Sequence, residues 1–118
     1  METKILDYAG CPSIDDKPFN STIPGYSFLQ VCSTDIRPPA DGIVVDVSTS
    51  LQTSFQACMD ACARYNQDVK KGGCAGASWI IFSPTHPDRN SKCFLKSDRG
   101  VATSDKEQVV ASGLLREA

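Results

Sequence analysis

Six cysteines in 118 residues constrain this chain more than any other feature. Cytosolic thiols are kept reduced, so a density this high suits a secreted domain whose small core is reinforced by disulfides. Six cysteines allow fifteen pairings. Two of them, Cys58 and Cys62, stand four residues apart in "FQACMDACARYN", the one strongly helical stretch. At that spacing they project from the same helix face, which Phe55 and Met59 extend. An apolar helix face must be buried against other elements, and both sulfurs go with it. Cys74 and Cys93 follow in stretches that read as strands. Cys62 can reach Cys74 across a short Gly turn, and Cys58 can reach Cys93, which leaves Cys11 and Cys32. These residues alone leave the pairing open.

The remaining elements fit around that helix. Residues 1–25 are rich in Pro, Asn, Ser and Asp around Cys11, and read as an irregular arm with turns at "KPFNST" and "IPG". "YSFLQVCS" has the β-branched and aromatic content of a strand. "TDIRPPADG" carries two consecutive prolines and reads as a loop. "GIVVDVS" is a second strand. Thr53 and Gln56 fit a capping box at the helix start, with Ser54 as the alternative cap, and the helix is expected to end near Asn66. "CAGASWIIF", "KCFLKS" and "EQVVASGLL" complete the set as strands, with "SPTHPDRNS" a loop. The order is β-β-α-β-β-β in a single domain: an arm over 1–25, a core over 26–97, and a C-terminal strand and tail over 98–118. The expected fold is α+β, one helix packed on a mostly antiparallel sheet of about five strands.

Composition excludes several classes of function. Twelve Lys and Arg against fourteen Asp and Glu give a net charge of −2, and the charges are interspersed. No basic footprint for nucleic acid is present. Nothing approaches the 18 or so apolar residues of a membrane helix. The opening "METKILDYAG" holds no apolar leader, so for a secreted protein Met1 reads as the start of a mature form. Asn20-Ser21-Thr22 is an N-glycosylation sequon, which has meaning only in the secretory pathway.

Catalytic and metal readings are weaker than the disulfide reading. Cys58, Cys62, Cys74 and Cys93 could form an all-thiolate zinc site, but C-x3-C on a helix is not the usual zinc spacing. Redox chemistry favours C-x-x-C at a helix N-terminus, and the chain has none. The single histidine, His86, lies between prolines in a loop without a partner motif for nucleophilic catalysis. Asp15-Asp16 and the acidic residues at 105–107 read as surface charge. "KKGGCAG" lacks the phosphate-loop pattern. Trp79, beside Ile80, Ile81 and Phe82, reads as core rather than as a sugar-stacking platform. No cofactor or metal is expected.

The motifs "CMDACARYN", "GGCAGASW" and "CFLKS", in that order, resemble the core of the PAN/apple domain superfamily. "GCP" followed by "PGYSFLQVCSTDI" is similar to the N-terminal part of apple-like modules common in secreted fungal proteins. The resemblance spans about Tyr8 to Ser97. It implies a curved antiparallel sheet on one helix, with helix-to-sheet disulfides Cys58–Cys93 and Cys62–Cys74. Many apple domains join their two ends by a further disulfide. No cysteine follows Cys93 here, so the extra pair is expected to be Cys11–Cys32, nearer the fungal variants.

The functional expectation is a non-enzymatic extracellular module that binds carbohydrate or an extracellular protein at a cell surface or wall. A structural or adhesive segment of a larger surface protein is the alternative. The two proline-bearing loops "STDIRPPADG" and "SPTHPDRNS" lose little entropy on ordering and suit a ligand surface. Arg37, His86, Asp88, Arg89 and Asn90 are the candidate hydrogen-bonding residues.

Overall fold

The computed structural model describes residues 13–32, 34–37, 46–69, 73–83, 87–97, 101–104 and 109–116. These hold strands β1 (Pro18–Asn20), β2 (Ser27–Cys32), β3 (Thr34–Arg37) and β4 (Asp46–Leu51), and helix α1 (Phe55–Val69). Strands β5 (Gly76–Phe82), β6 (Lys92–Lys96), β7 (Val101–Ser104) and β8 (Val109–Arg116) follow, with a 3-10 turn at Pro87–Arg89. Six strands form one sheet in the order β1-β2-β8-β5-β6-β4, and β3 pairs with β7 in a separate ribbon. Every pairing is antiparallel. The α+β expectation of one helix on an antiparallel sheet holds, with more strands than expected.

Helix α1 starts where a hydroxyl takes an orphan amide. The Ser54 Oγ accepts the Ala57 N–H at 3.0 Å, so the cap is Ser54 rather than Thr53. Phe55, Cys58, Met59, Cys62, Ala63 and Asn66 form its buried stripe. This is the i, i+3, i+4, i+7 rhythm of a helix lying on one surface. The helix runs three residues past the expected end at Asn66. It can do so because Asn66 points inward and bonds the chain beyond the turn. Gly73 sits at φ 111°, a conformation that disfavours a side chain, with the Tyr65 ring packed against it.

Alternation along the strands gives the sheet two distinct faces. Phe28, Ala77, Trp79, Cys93, Leu95 and Ala111 join the helix stripe in one buried cluster. Gly113 belongs to that face too, and its missing side chain makes room for Met59: a Cβ there would lie 2.7 Å from the Met59 Cγ and Sδ. Two disulfides cross this interface, Cys58–Cys93 and Cys62–Cys74, each with Cα atoms 5.5 Å apart. Closing loops of 35 and 12 residues, they contribute about 3 to 4 kcal/mol each in the chain-entropy account. Their sulfurs are bonded to each other, so none of the four is a zinc-binding thiolate. Cys32 is also disulfide-bonded; its expected partner, Cys11, lies outside the described residues.

The opposite face carries Gly76, Ser78 and Ile80 beside Val110, Ser112 and Leu114, and the β3–β7 ribbon covers part of it. Ile36 lies directly on Gly76, where a Cβ would meet the Ile36 Cδ1 at 2.7 Å. The buried Ser112 Oγ–H donates to the Thr34 carbonyl at 2.6 Å, and Ser78 Oγ lies 2.8 Å from Ser112 Oγ. A carbonyl only accepts, so Ser112 spends its proton on Thr34 and the Ser78 hydroxyl donates to Ser112.

Three further expectations change. Residues 34–37, expected in a loop, form β3, because the two prolines at 38–39 lie beyond the paired residues. The N-terminal arm is not wholly irregular. Pro18–Asn20 pairs with β2 as an edge strand, where a proline as first residue costs no ladder bond. The buried Gln30 side chain holds this arm by donating to the Lys17 carbonyl at 3.2 Å. Asp15, expected to be plain surface charge, accepts the Cys32 N–H at 2.8 Å.

Candidate functional site

The face away from the helix holds a cleft of about 220 Å³ lined by Asp35, Asp46, Ile80, Arg89, Phe94 and Lys96. Three separate parts of the fold build it. Strand β3 brings Asp35, the turn after β5 brings Arg89, and the neighbouring strands β4 and β6 bring Asp46, Phe94 and Lys96. Cys93 and Leu95 face the helix, so alternation turns Lys92, Phe94 and Lys96 the other way. Asp46 and Lys96 are register partners, and their side chains form an ion pair at 2.6 Å. The Lys96 ammonium also stands 5.5 Å from the centre of the Phe94 ring. Asp35 directs one carboxylate oxygen to the Ile36 N–H at 2.8 Å.

The turn that presents Arg89 is tightly closed. The Asn90 Oδ1 accepts the Ser83 N–H at 2.7 Å, the Ser91 N–H bonds the Ile80 carbonyl at 2.7 Å, and Ser91 sits at φ 68°. Trp79 supports it from below: its indole N–H is shared between the Ser91 carbonyl at 3.1 Å and the Gln52 carbonyl at 3.2 Å. Trp79 is buried, in keeping with its reading as core.

The candidate ligand residues separate accordingly. Arg89 is exposed and lines the cleft. Asp88 is exposed on the same 3-10 turn but does not line it. Asn90 has its side-chain carbonyl committed to closing the turn. Arg37 lies in β3, two residues from Asp35. His86 lies outside the described residues. The two loops singled out in the sequence do meet, through Asp35 and Arg89. Sequence reasoning singled out the loop of Asp35 but not the residue, and missed Asp46, Phe94 and Lys96. For the last two a signal existed: once Cys93 is assigned to the helix face, its alternating neighbours belong to the other.

A cleft with two carboxylates, a guanidinium, an ammonium and a ring offers both donors and acceptors with balanced charge. Such a lining satisfies hydroxyls, which donate and accept at once, and gives no preference for an anionic ligand. At 220 Å³ it is smaller than the roughly 300–1,000 Å³ of drug-sized sites, and suits a single ring or chain end.

A second concavity of about 460 Å³ runs between α1 and the edge strand β4, past Ser48, Ser50, Ala57, Ala61, Arg64 and Asp68. Nearby, Asp60 anchors the residues after the sequon asparagine. Its carboxylate accepts the Ser21 hydroxyl at 2.5 Å, the Thr22 N–H at 3.1 Å and the Thr22 hydroxyl at 2.9 Å. Among the described residues no group of three or more His, Cys, Asp or Glu could hold a metal ion, and no helix is long and apolar enough to cross a membrane.

No family model, curated protein or solved structure matches the chain. Fold and cleft together define a class: a small α+β domain, one helix riveted by two disulfides to an antiparallel sheet, with a polar cleft on the sheet's far face.

Proposed function

We propose that this protein is a non-enzymatic extracellular recognition module of the PAN/apple kind, and that the cleft between β3 and the 3-10 turn binds carbohydrate at a cell surface or wall. The observation that carries the reading is the convergence of Asp35, Arg89 and Phe94 from three parts of the fold on one cleft. Arg89 and Asp35 supply directional bonds to hydroxyls, and Phe94 supplies an apolar surface for the C–H face of a sugar ring. A disulfide-reinforced frame holds these groups in place before the ligand arrives, which reduces the entropy cost of binding. Two disulfides in so small a domain are compatible with an extracellular location. No cofactor or nucleic acid enters this reading.

The test is a glycan array and a panel of wall polysaccharides, probed with the wild-type domain and with Arg89→Ala. Binding by the wild type and its loss in the variant is the expected result; blank arrays, or binding indifferent to Arg89, overturn the assignment. One observation favours a second reading, adhesion to another protein. Leu51 ends the edge strand β4 with 69% of its surface exposed, beside the open groove along α1. An extended segment of a partner protein could add to that edge. Concentration-dependent association abolished by Leu51→Lys, with blank arrays, would favour it.

A further inference from the structure

We infer that Asn20 is an N-glycosylation acceptor that must be used before the domain folds. The inference rests on the extracellular part of the function proposed above, and not on the cleft.

Asn20 is exposed at the end of the edge strand β1. Its neighbour Phe19 packs on the helix-side cluster, so alternation along the strand turns Asn20 away from the core. Beside it lies a shallow concavity of about 280 Å³ bordered by Ser21, Gly25, Tyr26 and Ser27. A first sugar attached to Asn20 can lie across this concavity without displacing a core residue. The sheet order places β1 at the opposite edge from β4, and β5, β6 and β4 carry four of the cleft residues. A glycan at Asn20 is therefore attached at the far edge of the sheet from the cleft.

The order of events follows from Asp60. An acceptor is read through the hydroxyl two residues after the asparagine, in the pattern Asn-x-Ser/Thr. In the folded domain the Thr22 hydroxyl and backbone N–H both donate to the Asp60 carboxylate, and the Ser21 hydroxyl donates to it as well. The Ser21 oxygen in turn accepts the Ile23 N–H at 3.0 Å, and Ile23 is buried. The acceptor segment is thus fastened to α1 by three groups from two consecutive residues, Ser21 and Thr22. Asp60 lies 38 residues further along the chain than Thr22, so a nascent arm has no such partner until the helix has been made.

The donor is a lipid-pyrophosphate-linked oligosaccharide. The Asn20 side-chain amide nitrogen forms a bond to the anomeric carbon of the reducing-end sugar, and the bond from that carbon to the pyrophosphate oxygen breaks. The lipid pyrophosphate leaves with the electron pair, and the proton lost from the amide passes to solvent.

Two measurements test the inference. The chain is secreted from eukaryotic cells behind a heterologous leader, and its intact mass is compared before and after peptide-N-glycosidase treatment. One glycan on the wild type, none on Asn20→Gln, and retention on Thr22→Ser are expected; an unmodified Asn20 in the secreted product overturns the site. In the second, unglycosylated chain is offered to oligosaccharyltransferase with the lipid-linked donor, either disulfide-intact or reduced and alkylated. Transfer to the reduced chain and little to the intact one is expected, with Asp60→Ala raising transfer to the intact form. Equal transfer to both forms overturns the order of events. Array binding by the same secreted preparations reports on the cleft separately.

Discussion

The Asn66 side chain bonds the backbone of Cys74 twice: its Nδ2 donates to the Cys74 carbonyl at 2.7 Å, and its Oδ1 accepts the Cys74 N–H at 2.8 Å. The amide of a helix residue thereby acts as a short piece of neighbouring strand, and holds Cys74 where Cys62 can bond it. Both residues are buried, so the two Cys74 groups rely on this side chain rather than on bulk solvent. Asn66→Ala leaves two buried backbone groups without partners and is expected to cost about 2–4 kcal/mol. Denaturant unfolding with the disulfides intact measures it. A loss below about 0.5 kcal/mol, the scale of an ordinary surface substitution, would show that the clamp is dispensable.

Met59 of the helix packs into the space left by Gly113 of the sheet. Any side chain at 113 meets the thioether, so Gly113→Ala is expected to destabilise the domain by about 1–3 kcal/mol. Met59→Ala removes a fully buried side chain and is expected to cost about 2–5 kcal/mol. Combined, the two should cost less than their sum, because the added methyl occupies part of the space that the truncation opens. A double-mutant cycle with a coupling of about 0.5–3 kcal/mol is the expected result. Strict additivity would mean that the two residues do not share that space.

The helix and the burial of its two sulfurs were legible because they follow from spacing within one element, whereas the partners of those sulfurs were left open by the residues and came only from the resemblance. Cys58, Cys62, Phe55 and Met59 announce a single buried stripe, and a stripe needs a sheet beneath it. Strand β3 was not legible, since Thr34–Arg37 pairs with Val101–Ser104 across more than sixty residues and the double proline just after it argues for a loop. The same holds for the cleft. Arg89 and the Asp35 stretch were found by loop composition, whereas Asp46 enters only through its register with Lys96. The clamp on Cys74 was hidden too, since an asparagine in a helix's last turns reads as a stop, and only the fold turns it inward.

One bridge joins Cys58 of the helix to Cys93 in β6, and the other joins Cys62 to Cys74, two residues before β5 begins. Cys58→Ser with Cys93→Ser is expected to lower stability by about 3–4 kcal/mol, a large part of the roughly 5–15 kcal/mol that holds a domain folded. Strong reductant should therefore lower the melting temperature steeply and expose Trp79, seen as a red shift in its fluorescence. Peptide mapping without reductant should recover Cys58–Cys93 and Cys62–Cys74. An unchanged melt in reductant would remove the idea that sulfur fastens this fold.

On the far face, Ser112 and Ser78 are both fully buried hydroxyls, yet their roles differ. Ser112 donates to Thr34 of the β3–β7 ribbon while accepting from Ser78. Ser112→Ala strands two groups, the Thr34 carbonyl and the Ser78 hydroxyl, whereas Ser78→Ala removes a donor from an oxygen that can do without it. At about 1–3 kcal/mol for each stranded buried group, the Ser112 variant is expected to be the more damaging of the two. The damage should be local. The ribbon carries Ile36 onto Gly76 and Asp35 into the cleft, so hydrogen exchange should quicken at Ile36 in Ser112→Ala before it quickens at β5 or α1. Ligand affinity should fall in the same variant, because Asp35 is no longer held in place, and be largely kept in Ser78→Ala. Equal exchange rates and equal affinities in the two variants would mean that the hydroxyl chain does not fix the ribbon, and that the cleft owes its shape to other contacts.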